Sequence, residues 1–199
     1  MDGIAWAASA MVAARTRLEI ATENLANVST DGFARVGARG RLTNSGARIE
    51  RAPERRQGSL RQTGRDLDFA ILGDGAFALR EPGGRLVRSR AGAFVRAAGG
   101  TLRDAFGRTL LGSGGPLHFP PDARLDERGG VIVAGRRVDG LPLPARSRVQ
   151  SGFLEGAGVS AIGEMIDVMA AERAFESAQK VVTAIDATRE KSAQAARVA

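Results

Sequence analysis

The chain has 199 residues, a formal net charge of +7 and 43% hydrophobic content, enough for one modest core plus extensions or two small units. It contains no cysteine, which excludes disulfides, thiolate nucleophiles and cysteine-based metal sites. The positive charge comes almost wholly from arginine and is compatible with nucleic acid, anionic lipid or an acidic protein neighbour.

The N-terminus lacks a basic stretch leading into an apolar one, so no cleavable signal peptide of the usual kind is expected. No run approaches the roughly 18 apolar residues of a bilayer span. Residues 3–28 instead carry a heptad. Ile4, Met11, Leu18 and Leu25 recur at one seam position, and Ala7, Ala14, Ala21 and Val28 at the other. A lone helix of this length is marginal, so the stripe requires a partner. Asn27, Ser29, Thr30 and Asp31-Gly32 signal the helix stop.

Residues 34–57 are poor in apolar side chains and rich in Arg, including Arg35, Arg39, Arg41, Arg48, Arg51, Arg55 and Arg56. They read as an extended or mobile linker. Residues 58–150 read as a small antiparallel β-domain. Leu67 to Leu72 predicts a strand. Gly83-Gly84, Gly99-Gly100 and Gly129-Gly130 mark three hairpins, while Pro116, Pro120 and Pro121 indicate a non-strand connection.

Residues 151–199 contain the second helix. Ser160 is its expected N-cap, with Glu164 and Asp167 near the positive end of its dipole. Val168, Ala171, Phe175, Ala178, Val182 and Ile185 form its seam, and Ile162, Met165, Ile166 and Met169 widen the apolar stripe. The last ten residues are expected to fray. The resulting fold class is α+β, with an antiparallel β-domain inserted between N- and C-terminal helices that form a coiled-coil stem.

Catalytic chemistry finds little footing. His118 is the sole histidine and lies in an apolar, proline-bounded segment. Asp66 and Asp68 share a strand face without a sign of a cleft. No cluster has metal-ligand spacing, and Gly73-Asp74-Gly75 precedes no helix pattern. No catalytic residue, metal, cofactor or small-molecule substrate is therefore expected. Nucleic-acid binding is the alternative suggested by the arginine excess, but the arginines are dispersed and aromatics for base stacking are lacking.

Four stretches then carry a resemblance. Asn24-Leu25-Ala26-Asn27 through Thr30-Asp31-Gly32-Phe33 resembles the N-terminal signature of the bacterial flagellar rod and hook (axial) proteins. Thr63 to Ile71, followed by Gly73-Asp74-Gly75-Ala76-Phe77, is similar to that family's central segment, and Arg88 to Phe94 to its next strand. Gly152-Phe153-Leu154-Glu155, Glu164-Met165 and Glu172 to Glu176 resemble its C-terminal signature. The chain departs from the pattern at Glu23, Ala76 and Ala157-Gly158.

The resemblance implies a structural subunit of the flagellar basal-body rod, exported without a cleaved signal by the flagellar type III apparatus. It implies polymerisation in the periplasm with copies of itself and other rod proteins, through terminal helices that line a torque-transmitting hollow shaft. The expected domains are an assembly helix and signature at 1–33, a linker at 34–57, a β-domain at 58–150 and an assembly helix at 151–199. The expected assembly contacts are Ile4, Met11, Leu18, Asn24, Leu25, Asn27, Gly32, Phe33, Val168, Phe175, Val182 and Ile185.

Overall fold

A computed structural model of the chain describes residues 3–44, 46–54 and 56–198. Arg55, counted above among the linker arginines, lies outside the described residues, as do Met1 and Asp2 of the N-terminus. The architecture is α+β. It consists of two compact units, the first formed by residues 1–27, 35–54 and 159–199 and the second by 28–34 and 55–158.

Unit 1 contains helix α1 (Gly3–Ala26), strands β1 (Val36–Thr43) and β2 (Gly46–Pro53), and helix α2 (Ala161–Val198). The pairing β1–β2 corrects the expected linker over 34–57. These residues form an antiparallel hairpin whose register runs from Val36↔Pro53 to Thr43↔Gly46. Hydrophobic periodicity missed it because the strands offer mainly small groups to α1, among them Ala38, Gly40 and Ala47, beside the larger Leu42 and Ile49. The Ser9 hydroxyl of α1 accepts the Ala47 amide at 3.1 Å and anchors the hairpin tip. Arg51 on β2 pairs with Glu23 on α1.

Helix α2 also runs past its expected end. Residues expected to fray remain helical to Val198, because Ala, Gln, Glu, Lys and Arg are strong helix formers even without an apolar partner. At its start the Ser160 hydroxyl accepts the Gly163 amide at 3.3 Å, as the N-cap assignment requires.

In unit 2 the strands are β3 (Leu60–Gln62), β4 (Phe69–Leu72), β5 (Phe77–Arg80), β6 (Leu86–Ser89), β7 (Val95–Arg96), β8 (Leu102–Arg103), β9 (Thr109–Gly112) and β10 (Gly115–Pro116). They continue as β11 (Arg124–Leu125), β12 (Gly130–Val133), β13 (Arg136–Gly140), β14 (Arg148–Ser151) and β15 (Phe153–Glu155). One sheet has the order β6-β5-β9-β8-β7, with β10 on β9, and a second has the order β11-β12-β13. Two further pairs, β14-β4 and β15-β3, bring the end of this unit back to its beginning.

The three Gly-Gly segments turn β5 into β6, β7 into β8 and β11 into β12. At the first, the Glu81 amide reaches the Arg85 carbonyl at 2.9 Å and Gly84 takes a φ of 86°, open to glycine. The proline-interrupted connection holds one short strand, β10, where Pro116 faces Leu111 at the end of the β9 ladder. Residues of these strands and of the segments beside them converge on one core: Phe69, Ile71, Phe77, Leu79, Phe94, Leu102, Leu110, Leu117 and Phe119, with Val131, Leu141 and Val149.

Candidate functional site

The two helices of unit 1 pack on each other and run antiparallel. At one end the Asn24 amide of α1 donates to Glu164 Oε2 of α2 at 3.0 Å. At the other, Ile185 Cδ1 lies 3.4 Å from where a Cβ on Gly3 would stand. Alanines fill the centre: Ala7, Ala14 and Ala21 from α1 meet the face of α2 that buries Ala171 and Ala178. Ala13 and Ile20, buried elsewhere around the α1 cylinder, line cavities shared with the hairpin, Ala13 beside Gly40 and Ala47 and Ile20 beside Ala38. Small residues let helix axes approach closely.

The large seam residues stand at the edges of this contact. Ile4, Met11, Leu18 and Leu25 are half-buried, as are Val168, Phe175, Val182 and Ile185. Each therefore keeps apolar surface in a single chain.

Asn24 is fully buried and joins three segments. Its Nδ2 donates to the Val36 carbonyl at 2.8 Å as well as to Glu164, and its Oδ1 accepts the Val36 amide at 2.9 Å. Glu164, also buried, accepts Arg35 Nε at 2.6 Å. Arg35 extends the network to Glu54 at 3.0 Å and Asp167 at 3.1 Å. Burial opposes the charge on Arg35. Hydrogen bonding to Glu164, followed by the Coulombic attraction of Glu164 and Glu54, outweighs it and holds the guanidinium pKa above the ordinary arginine value.

Helix α1, the hairpin and α2 are thus tied by one polar cluster. Sequence reasoning singled out Asn24 but missed its partner Glu164 and the Arg35, Glu54 and Asp167 side chains that extend the network. A signal was present: Glu164, Ala171 and Ala178 are seven residues apart, so a carboxylate sits in phase with the packed face. Reading Glu164 only as a helix-dipole charge passed over that phase.

The remaining signature residues go elsewhere. Asn27 donates from Nδ2 to the Glu23 carbonyl at 2.9 Å and satisfies an end group of α1. Gly32 and Phe33 belong to unit 2. The Gly32 amide donates to the Glu155 carbonyl at 2.7 Å, and the Phe33 carbonyl accepts the Gly158 amide at 3.2 Å. The Glu155 side chain is buried and accepts Arg90 Nη1 at 2.8 Å and the Gly58 amide at 3.0 Å. Arg90 also donates to the carbonyls of Gly75, at 3.0 Å, and Gly73. All four motif stretches, far apart in sequence, therefore meet around Glu155 and Arg90, a pairing that sequence reasoning did not identify.

Gly32 has a φ of 70°, and a Cβ there would lie 2.1 Å from the Ala91 nitrogen and 2.3 Å from the Arg90 carbonyl carbon. Both obstacles are backbone and cannot swing aside. Gly32→Ala is expected to destabilise unit 2 by at least about 2 kcal/mol, through the positive φ and the overlap together. The shift of its urea midpoint relative to the parent chain measures this; an unchanged midpoint would contradict it.

His118 is exposed and bridges to Thr101 on the edge of a sheet. Asp68 is buried beside Arg65, while Asp66 is exposed. Among the described residues no three His, Cys, Asp or Glu side chains gather as a metal site. No described helix is long and apolar enough to cross a membrane.

Two family models match the chain. The one described as Flagella basal body rod protein covers residues 4–33, and the one described as Flagellar basal body rod FlgEFG protein C-terminal covers residues 150–195. The first covers nearly all of α1 and the turn to Phe33; the second begins within β14 and covers β15 and most of α2. Among curated proteins, the flagellar basal-body rod protein FlgG of Agrobacterium fabrum (strain C58 / ATCC 33970) is 28% identical over 253 aligned residues. The alignment covers 94% of this chain and 96% of the relative.

Proposed function

We propose that the chain is a member of the flagellar basal-body rod protein family and that copies of it assemble into the rod through α1 and α2; the two matched segments and the similarity to a rod protein along most of both chains support this reading. It is a structural subunit of the basal body, and assembly with other rod proteins follows from the family. The observation that carries the helix assignment is that the two matched segments supply a packed helix pair whose large seam residues remain half-buried. Apolar surface left on both helices is what a neighbour would cover.

The expected assembly contacts are Ile4, Met11, Leu18, Leu25, Val168, Phe175, Val182 and Ile185. Asn24 fixes the helix pair internally, while Asn27, Gly32 and Phe33 set the exit from α1. The product is a hollow shaft that passes torque from motor to hook. Subunits reach it in the periplasm through the flagellar type III export apparatus, without cleavage of a signal peptide. No catalysis, cofactor, metal or small-molecule substrate belongs to this reading. The matched families lend no support to nucleic acid as the partner of the arginines.

Leu18→Asp and Val182→Asp each place a carboxylate on the seam, where desolvation without a partner costs a few kcal/mol. Each is expected to abolish motility and remove rods from basal-body preparations, while the strand signal of unit 2 persists in the purified chain. Normal swimming by either variant would overturn the helix assignment. Finding a tagged parent chain outside purified basal bodies would overturn the rod assignment itself.

A further inference from the structure

Helix α2 is apolar on two sides. Its Glu164, Ala171 and Ala178 face is buried, whereas Ile162, Met165, Ile166 and Met169 are 74%, 53%, 56% and 50% exposed. At 100° per residue these four lie about 150° around the helix from the buried face. A helix with apolar residues on opposite faces needs two partners, and its own chain supplies one.

The outer face of α1 supplies a matching surface. Ala5, Ala8 and Val12 are exposed at spacings of three and four residues. Met169, Ile166 and Ile162, read in reverse, have the same spacings. One surface carries large side chains and the other mainly methyl groups, so the first can fill the relief of the second. The two patches lie at opposite ends of the antiparallel pair, since Glu164 meets Asn24 and Gly3 meets Ile185. They cannot cover each other within one chain.

We propose that the Ile162, Met165, Ile166 and Met169 stripe of one copy docks on Ala5, Ala8 and Val12 of the next copy. This inference rests on the reading that the chain assembles through its terminal helices, and adds the faces, the partner and the offset. Copies in a polar filament keep one chain direction, so α2 of one copy meets α1 of the next antiparallel. Met169 then lies beside Ala5, Ile166 beside Ala8 and Ile162 beside Val12. Relative to the pairing inside a chain, the neighbour is displaced by about 14 residues, or about 21 Å along the helix axis. Because the two patches differ, the contact is heterologous and does not close, the arrangement that generates a filament instead of a dimer.

The absence of native cysteine makes the contact directly testable. Two differently tagged chains, one carrying Ala8→Cys and the other Ile166→Cys, are expressed together in cells lacking the parent copy. Purified basal bodies are then oxidised with copper phenanthroline. The expected product is a disulfide-linked dimer bearing both tags. If rods assemble but yield no linked pair, dimers of the Ile166→Cys chain alone, or an adduct with a different rod protein, the inference is overturned and the proposed function stands. If a tagged parent chain does not enter basal bodies, both fall.

Discussion

Replacing Phe94 by alanine is expected to cost unit 2 about 3–5 kcal/mol, the range for removing a large aromatic side chain from a packed core. Phe94 is fully buried, and its ring lies 5.4 Å from Phe77 in an edge-on arrangement and 5.9 Å from Phe69. The Phe119 ring joins the cluster with its centroid 5.8 Å from that of Phe69. Such contacts contribute beyond their area because ring edges meet ring faces. The surrounding strands are short and tied by hairpins, so the cavity has little freedom to collapse. Urea unfolding followed by far-UV circular dichroism measures the loss through the strand transition. A cost below about 1 kcal/mol would show that the cluster is not the centre of the unit.

Glu164→Ala is expected to cost unit 1 about 3 kcal/mol, near the lower end of the range for breaking a buried ion pair. Arg35 would retain Glu54 and Asp167, which moderates the loss. Asn24, fully buried, would lose the acceptor that joins it to α2. Glu164→Gln keeps an acceptor for Asn24 and should recover part of the stability, which separates the hydrogen bonds from the packing of the side chain. The only tryptophan, Trp6, lies in α1, so its fluorescence reports this unit during denaturation. Equal stability of Glu164→Ala and the parent would show that the cluster does not hold the helices and hairpin together.

The two expectations rest on different kinds of cohesion. Unit 2 is held by a cluster of Phe, Leu, Ile and Val side chains. Unit 1 buries mostly alanine, and Ile20 is the only large aliphatic side chain buried in it among the described residues. A buried methyl contributes about 0.8 kcal/mol, against about 1.5–3 for a leucine or phenylalanine. Polar contacts therefore weigh more heavily in the helix unit, and apolar surface on its helices remains for a neighbour. Such a division suits the assembly through α1 and α2 proposed above.

The helices, their seams and the three Gly-Gly hairpins were legible in the sequence because each is a local pattern. A heptad shows itself within a few turns, and two glycines between short strands demand a turn wherever they occur. The signature from Asn24 to Phe33 was legible as a unit, although the structure assigns its parts to different tasks. Asn24 closes the helix pair, and Gly32 docks on Glu155 and Ala91.

The hairpin at 36–53 was not legible, since its burial depends on alanines of α1 that lie outside its own period. The Asn24, Glu164 and Arg35 cluster and the closing pairs β14-β4 and β15-β3 were likewise beyond local reading. The sequence by itself determined the two helices and the glycine turns between the short strands of the β-domain, because those preferences reside in neighbouring residues. Only the tertiary structure decided which distant segments meet, because burial of a small side chain or a carboxylate is favourable only where a specific partner removes it from water.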